Sequence, residues 1–185
     1  MCLIINNESG QTIAPEIIDD ALRLNPHGFG FVDLETMKVQ RTMSTKRARK
    51  LLASERPFVA HCRYATAGVV SKQNVHPFPF GNGRFLLMMN GTVRGFEDTT
   101  TVSDTRRMAQ AMECVKRKDF AQFLALFRAR FLVIDLQRGD VQMIGSWHTH
   151  NRVFYSKPQE APRPPRERVR KWTGDIHAME FQWVN

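Results

Sequence analysis

Apolar residues in this chain come in short runs, and those runs dominate what it can fold into. Residues 2–6, 29–34, 58–62, 84–89 and 131–136 each read as a strand with apolar character. None approaches the roughly 18 apolar residues of a membrane span. Strands stand at both ends of the chain, with helical patterns between and after them. That order predicts an α+β layered fold, not an alternating βαβ one.

Local signals fill in the rest. Pro15 stands in the first turn of a pattern with Ile17, Ile18, Ala21, Leu22 and Leu24 on one helical face. Asn25-Pro26-His27-Gly28 ends it. Residues 29–34 and 37–42 form a hairpin around Glu35-Thr36. Ser44 caps a helix running to about residue 54, with Lys46, Arg47, Arg49 and Lys50 on its solvated face. Residues 67–83 carry two prolines and three glycines and are expected as an irregular loop. Asn90-Gly91 is a tight-turn signal after the 84–89 strand. Asp104 opens a helix expected to reach Lys118, with Cys114 in its buried pattern beside Ala111 and Val115. A short helix over 120–127 follows, then a hairpin of 131–136 and 141–144, then a strand at 153–156.

The chain has 185 residues, 42% hydrophobic and 24% charged, which is the mix of one globular domain. Disordered and collagen-like classes are excluded. Three cysteines are too few for a disulfide scaffold, so a reducing, cytoplasmic setting is expected. The N-terminal apolar run lacks a basic flank and is too short for a signal peptide. The net charge is +9. Seven basic and two acidic residues lie between Arg152 and Lys171, so much of the excess sits in one Pro- and Arg-rich segment.

Cys2 directly follows Met1. Removal of Met1 leaves a cysteine with a free α-amino group, of ordinary pKa near 7.7–8, beside a thiol near 8.5. One residue then holds both nucleophile and base. Further along come His27-Gly28-Phe29-Gly30, then His61-Cys62-Arg63-Tyr64-Ala65-Thr66, then Asn74-Val75-His76-Pro77-Phe78, then Asn90-Gly91 and finally Ser103-Asp104-Thr105. Each motif alone has an ordinary structural reading: a hairpin turn for Asn-Gly, a helix cap for Ser-Asp, a surface cation for Arg63. Their order behind an N-terminal cysteine is the specific signal.

Together these motifs resemble the class II glutamine amidotransferases, the glutaminase domain of the Ntn-hydrolase superfamily, and its stand-alone branch in particular. The resemblance spans about residues 2–156. It implies a four-layer αββα sandwich of two antiparallel sheets flanked by helices. It also implies a hydrolase that releases ammonia from the side-chain amide of glutamine or a γ-glutamyl compound. By the same resemblance Cys2 is the nucleophile, and Asn90 and Gly91 form the oxyanion hole. Arg63, assisted by Thr66, takes the substrate α-carboxylate, and Asp104 takes the α-ammonium. His76 falls in the substrate-binding set, and Gly28 and Gly30 let the backbone approach the substrate. This chain departs from the family pattern at Leu3, Ala67, Met89 and Arg106. Arg106 and Arg107 favour a more anionic γ-glutamyl substrate.

No cofactor is expected, since no GxGxxG or phosphate-loop motif is present. No metal is expected either: His148-Thr149-His150 and the adjacent His61-Cys62 lack zinc spacing. The chain divides into a domain over 1–156, a basic linker or tail over 157–171, and a strand-like extension over 172–185. Fewer than 30 residues follow residue 156, too few for a synthetase domain. An ammonia-accepting partner protein is therefore one expectation, and plain amide hydrolysis is another. Arg163, Arg166, Arg168 and Arg170 form a strip suited to an acidic or nucleic-acid partner. Two other classes stand beside the hydrolase: a subunit of a partner-dependent modification system, and a non-catalytic scaffold.

Overall fold

A computed structural model describes residues 2–93, 95–96, 101–159, 168–170 and 181–183. Ten strands and four helices build the main body. The strands are β1 (Leu3–Asn7), β2 (Phe29–Asp33), β3 (Val39–Thr42), β4 (Phe58–Cys62), β5 (Phe78–Phe80), β6 (Phe85–Asn90), β7 (Arg130–Asp135), β8 (Asp140–Ile144), β9 (His148–His150) and β10 (Val153–Tyr155). The helices are α1 (Pro15–Leu24), α2 (Thr45–Leu52), α3 (Asp104–Ala111) and α4 (Phe120–Ala125).

The strands form two antiparallel sheets. The larger runs β3-β2-β4-β1-β10-β9 and the smaller β5-β6-β7-β8. Strand alternation sorts their side chains into layers. Leu3 and Ile5 of β1, with Phe58 and Ala60 of β4, pack on Ile17, Leu22 and Leu52 of α1 and α2. Phe85, Leu87 and Met89 of β6, with Phe131 and Val133 of β7, pack on Met108 of α3 and Leu124 of α4. The opposite faces meet in the middle, where Ile4, Val32 and Val59 pack against Leu86, Met88, Leu132 and Ile134. The result is the expected αββα sandwich, with three apolar interfaces between four layers. Each fully buried Leu, Ile or Phe in them contributes about 2 kcal/mol of burial.

The local signals explain the helix ends. Pro15 occupies the first turn of α1, and Asn25 closes it by donating to the Ala21 carbonyl at 2.8 Å. Ser44 and Ser103 cap α2 and α3 by accepting the Arg47 and Arg106 amides. Lys46, Arg47, Arg49 and Lys50 are exposed while Ala48 and Leu52 are buried, as the α2 pattern predicts.

Three expectations need correction. The 67–83 stretch is not wholly irregular: it holds a 3₁₀ turn at Lys72–Asn74 and strand β5. The helix from Asp104 stops at Ala111, not Lys118, and passes into a 3₁₀ turn at Met112–Cys114. That tighter winding points Met112 inward and leaves Cys114 exposed, so Cys114 is not a core residue. His148–His150 is an edge strand held by pairing with β10.

Beyond the body, a short strand at Arg168–Arg170 pairs with Phe181–Trp183. The first falls inside the stretch read as a linker, and the second inside the expected C-terminal strand. Arg163 and Arg166 of the basic strip lie outside the described residues. Among the described residues no helix is long and apolar enough to cross a membrane.

Candidate active site

The middle layer changes character at one end. Continuing the alternation past Ile4, Val59 and Met88 brings Cys2, His61 and Asn90 onto the same inter-sheet face. Leu3 pairs with Cys62 in the β1–β4 ladder, so Cys2 lies at the exit of β4, where Arg63 and Tyr64 follow. A small cleft opens here, walled by Cys2, Arg63, Thr66, His76, Gly91 and Asp104. Its free volume is ≈ 10 Å³, room for about one water.

Cys2 is half-buried, and its sulfur is engaged twice by one residue. The Tyr64 N–H donates to Sγ at 3.3 Å, and the thiol donates to the Tyr64 carbonyl at 3.3 Å. Burial raises the thiol pKa, and Asp104 adds to that; the Tyr64 amide and the Arg63 charge oppose it. A cation and an anion thus both act on the sulfur.

Arg63 is buried, and its guanidinium is wrapped by the next turn of its own chain. Nη2 donates to the Ala67 carbonyl at 2.8 Å and the Gly68 carbonyl at 3.4 Å, and Nη1 to Val69 at 3.2 Å. Three of its five donors hold this loop, leaving two for a ligand. Gly68 makes the loop possible: its φ is +70°, and a Cβ there would stand 2.7 Å from the Ser103 nitrogen. Burial lowers the Arg63 pKa, while Cys2 and Asp104 raise it.

Asp104, at the start of α3, is buried. Its Oδ2 accepts the Val93 amide at 3.2 Å and its Oδ1 the Thr105 amide at 2.8 Å, so it anchors the segment just after Gly91. Thr66 is exposed, with Oγ1 3.4 Å from Oγ1 of Thr92.

Asn90 ends β6 fully buried. Its Nδ2 donates to Ser156 Oγ at 2.8 Å and more weakly to the Ser156 carbonyl at 3.4 Å, while Oδ1 has no partner. The carbonyl can only accept, which fixes the orientation of the amide. Ser156 also accepts the Ile4 amide at 2.8 Å, so it ties β6 to β1 beside Cys2. In this conformation Asn90 leans on Ser156, and Met89 and Gly91 face the cleft.

Gly28 and Gly30 do not wall the cleft. A Cβ at Gly30 would lie 1.8 Å from the His76 carbonyl oxygen, and one at Gly28 2.4 Å from Val75 Cγ2. Their missing side chains admit the chain's own 75–77 segment.

Two residues outside the expected set organise the site. Asn74 accepts the Ser103 amide at 3.1 Å and donates to the Val69 and Thr101 carbonyls at 3.0 and 2.7 Å. It clamps the Arg63 loop to the α3 start. Its place in the Asn74–Phe78 motif was a visible signal. Ser156, a lone serine at a strand end, carried none. Among the described residues no three His, Cys, Asp or Glu side chains are grouped to hold a metal ion.

No family model matches the chain. A stretch of 40 residues is 42% identical to the glutamine–fructose-6-phosphate aminotransferase (isomerizing) of Staphylococcus aureus strains Mu50 and N315. The stretch covers 22% of this chain and 7% of those proteins. Among solved structures, the glutamine phosphoribosylpyrophosphate amidotransferase of B. subtilis superposes with a TM-score of 0.50 at 17% identity. The match covers 83% of this chain and 40% of that one, so this chain spans less than half the length of either relative. Together with the two stacked sheets and their helical layers, the likeness shows that the chain shares the layered αββα fold of that amidotransferase.

Proposed function

We propose that this chain is a class II, N-terminal-cysteine amidotransferase that hydrolyses the side-chain amide of glutamine or a γ-glutamyl compound. One observation carries the reading: a half-buried thiol at Cys2 lines one small cleft with a buried cation, Arg63, and a buried anion, Asp104, at the polar end of this fold. That charge pair is complementary to an α-carboxylate and an α-ammonium on one small substrate.

In this reading Met1 is removed and the new α-amine takes the Cys2 proton. The sulfur attacks the amide carbon and a C–S bond forms. The oxygen becomes anionic beside the Gly91 N–H and the Asn90 amide, whose second Nδ2 proton is held only weakly by Ser156. The α-ammonium then protonates the nitrogen, the C–N bond breaks and ammonia leaves. Water attacks the thioester, releasing the carboxylic acid and returning the thiol. Arg63, with Thr66 at the rim, holds the substrate carboxylate, and Asp104 holds the ammonium. The basic strip containing Arg168 and Arg170 is the proposed contact for an ammonia-accepting partner.

The test is ammonia release from glutamine and from γ-glutamyl amides by protein with a free N-terminal Cys2, with Cys2→Ala as control. Release by wild type alone supports the reading. Equal release by both proteins removes Cys2 as the nucleophile, and release by neither favours a non-catalytic scaffold.

A further inference from the structure

Strand β5 stops one step short of covering β6. The β5–β6 register pairs Phe80 with Phe85 and Phe78 with Leu87, and the next ladder position would set His76 against Met89. The ladder ends before it. Leu136 donates to the Arg84 carbonyl, so even-numbered residues of β6 turn their backbone groups toward β7. Odd-numbered residues, Met89 among them, turn theirs toward β5. Met89 therefore presents a buried N–H and a buried C=O to a partner strand that is missing. Buried backbone groups of this kind are almost always paired.

Two imidazoles pair them. The Met89 N–H donates to His76 Nδ1 at 3.3 Å, and His61 Nε2 donates to the Met89 carbonyl at 3.1 Å. The two rings stack at 3.7 Å between centroids with 21° between their planes. The partners dictate the tautomers. A carbonyl only accepts, so His61 carries its proton on Nε2; an N–H only donates, so His76 Nδ1 is bare. Both rings are buried and neutral. Burial holds His61 down to about 3 and His76 well below its ordinary value. His61 Nδ1 is left without a hydrogen bond, a cost that a merely space-filling residue would avoid.

The residue they grip, Met89, leads directly into Asn90 and Gly91. We propose that His61 and His76 are a pair of positioning residues: they replace the missing strand at Met89 and so set the direction of the Gly91 N–H and the Asn90 amide. The role rests on the amidotransferase reading, since those two groups are its oxyanion donors. His76 borders the cleft, yet its Nδ1 is committed to the backbone, so its work is on the turn.

The test uses the ring-preserving variants His61→Phe and His76→Phe beside the atom-preserving variants His61→Gln and His76→Asn. Each Phe variant is expected to lower kcat about 100-fold with KM near the wild-type value, because displacing a donor harms only the transition state. Alkylation of Cys2 by iodoacetamide is expected to keep its wild-type rate. His61→Gln and His76→Asn restore a donor and an acceptor near the lost atoms, and most of kcat is expected to return. A raised KM at unchanged kcat would make His76 a substrate contact and overturn the proposal. So would a fall in alkylation rate that matches the fall in kcat, or an unchanged kcat.

Hydrogen exchange at the Met89 amide reads the clamp without turnover. It is expected to be at least about tenfold faster in His76→Phe than in wild type or His76→Asn. Equal exchange overturns the clamp even if the enzyme is active. If wild type releases no ammonia while the exchange difference holds, the amidotransferase reading fails and the clamp stands. Should a Phe variant not fold, the Gln and Asn variants carry the same measurements, with near-wild-type exchange and kcat as the expected result and loss of both as the contrary one.

Discussion

At the outer end of β6, Arg84 meets Asp135 through two bonds, at 3.1 and 2.8 Å, and the Gln137 amide adds a third at 3.0 Å. At the inner end, six residues later, Asn90 has a bare buried oxygen and His61 a bare buried ring nitrogen. Both ends belong to one strand, β6, although Asp135 lies on the helix-facing side of its sheet and Asn90 on the inter-sheet side. The first is satisfied in the manner of a structural ion pair. The second leaves polar atoms unmatched inside a protein, at a cost of about 1–3 kcal/mol each. Between them the layer is dry: Ile4, Leu86, Met88 and Leu132 are fully or almost fully buried. Of the two ends of β6, the less satisfied is the one beside Cys2, the end that the amidotransferase reading makes catalytic.

Substitutions at the two ends should therefore differ in kind. The largest effect is expected at Cys2. Cys2→Ala should cut ammonia release by about 10⁵-fold or more, as loss of a nucleophile does, with thermal stability unchanged or raised. Next is Asn90→Ala, expected to lower kcat by about 10²–10³-fold as an oxyanion donor does, with a small loss from the Ser156 contact. In the dry stretch, Leu132→Ala should cost about 3 kcal/mol of stability and leave kcat of the folded protein intact. Urea unfolding monitored alongside turnover separates the two patterns. If Leu132→Ala lowers kcat as much as Asn90→Ala does, the division along β6 is wrong.

Acid titration gives a finer contrast. His61 titrates near 6.5 when unfolded and about 3 when folded. Below pH 6.5 the unfolded state therefore binds the extra proton. The stability His61 allows is complete above that pH and falls as pH drops toward 3, by at most about 1.4 kcal/mol per pH unit. Asp135 is held down to about 2 from an ordinary 3.8, chiefly by the Arg84 hydrogen bonds. Its contribution is present above pH 3.8 and is lost only as pH falls toward 2. His61→Phe should flatten the slope between pH 6.5 and 4, and Asp135→Asn should alter only the more acidic part. The opposite assignment of windows would contradict the burial of the His61 ring.

The dominant layers were legible because they are written as local periodicity. Short apolar runs marked β1, β2, β4, β6 and β7, and the sparing of Ala48 and Leu52 from charge marked the buried face of α2. β5 was hidden because Phe78-Pro79-Phe80 reads as a loop, although Pro79 is exposed and only the phenylalanines are buried. β9 was hidden because its order comes from pairing with β10, not from side-chain pattern. Cys114 was misplaced because a helix that tightens to three residues per turn moves its buried face. Cys2, Arg63 and Asp104, grouped in the sequence only through the family resemblance, line one cleft. Roles that depend on a distant partner were not legible: Ser156 meets Asn90 across 66 positions and His61 meets Met89 across 28. Gly28 and Gly30 were read as a path to the substrate, and they prove to be room for Val75 and His76.

The nucleophile can be tested without knowing the physiological substrate. The protein is treated with a glutamine-analogue electrophile, and the labelled chain is mapped by mass spectrometry. The expected result is one adduct per chain, on a Cys2 that is N-terminal, blocked by prior glutamine and absent in Cys2→Ala. Labelling of exposed Cys114 in place of Cys2, or a Met1 retained on protein that still releases ammonia, would contradict the account.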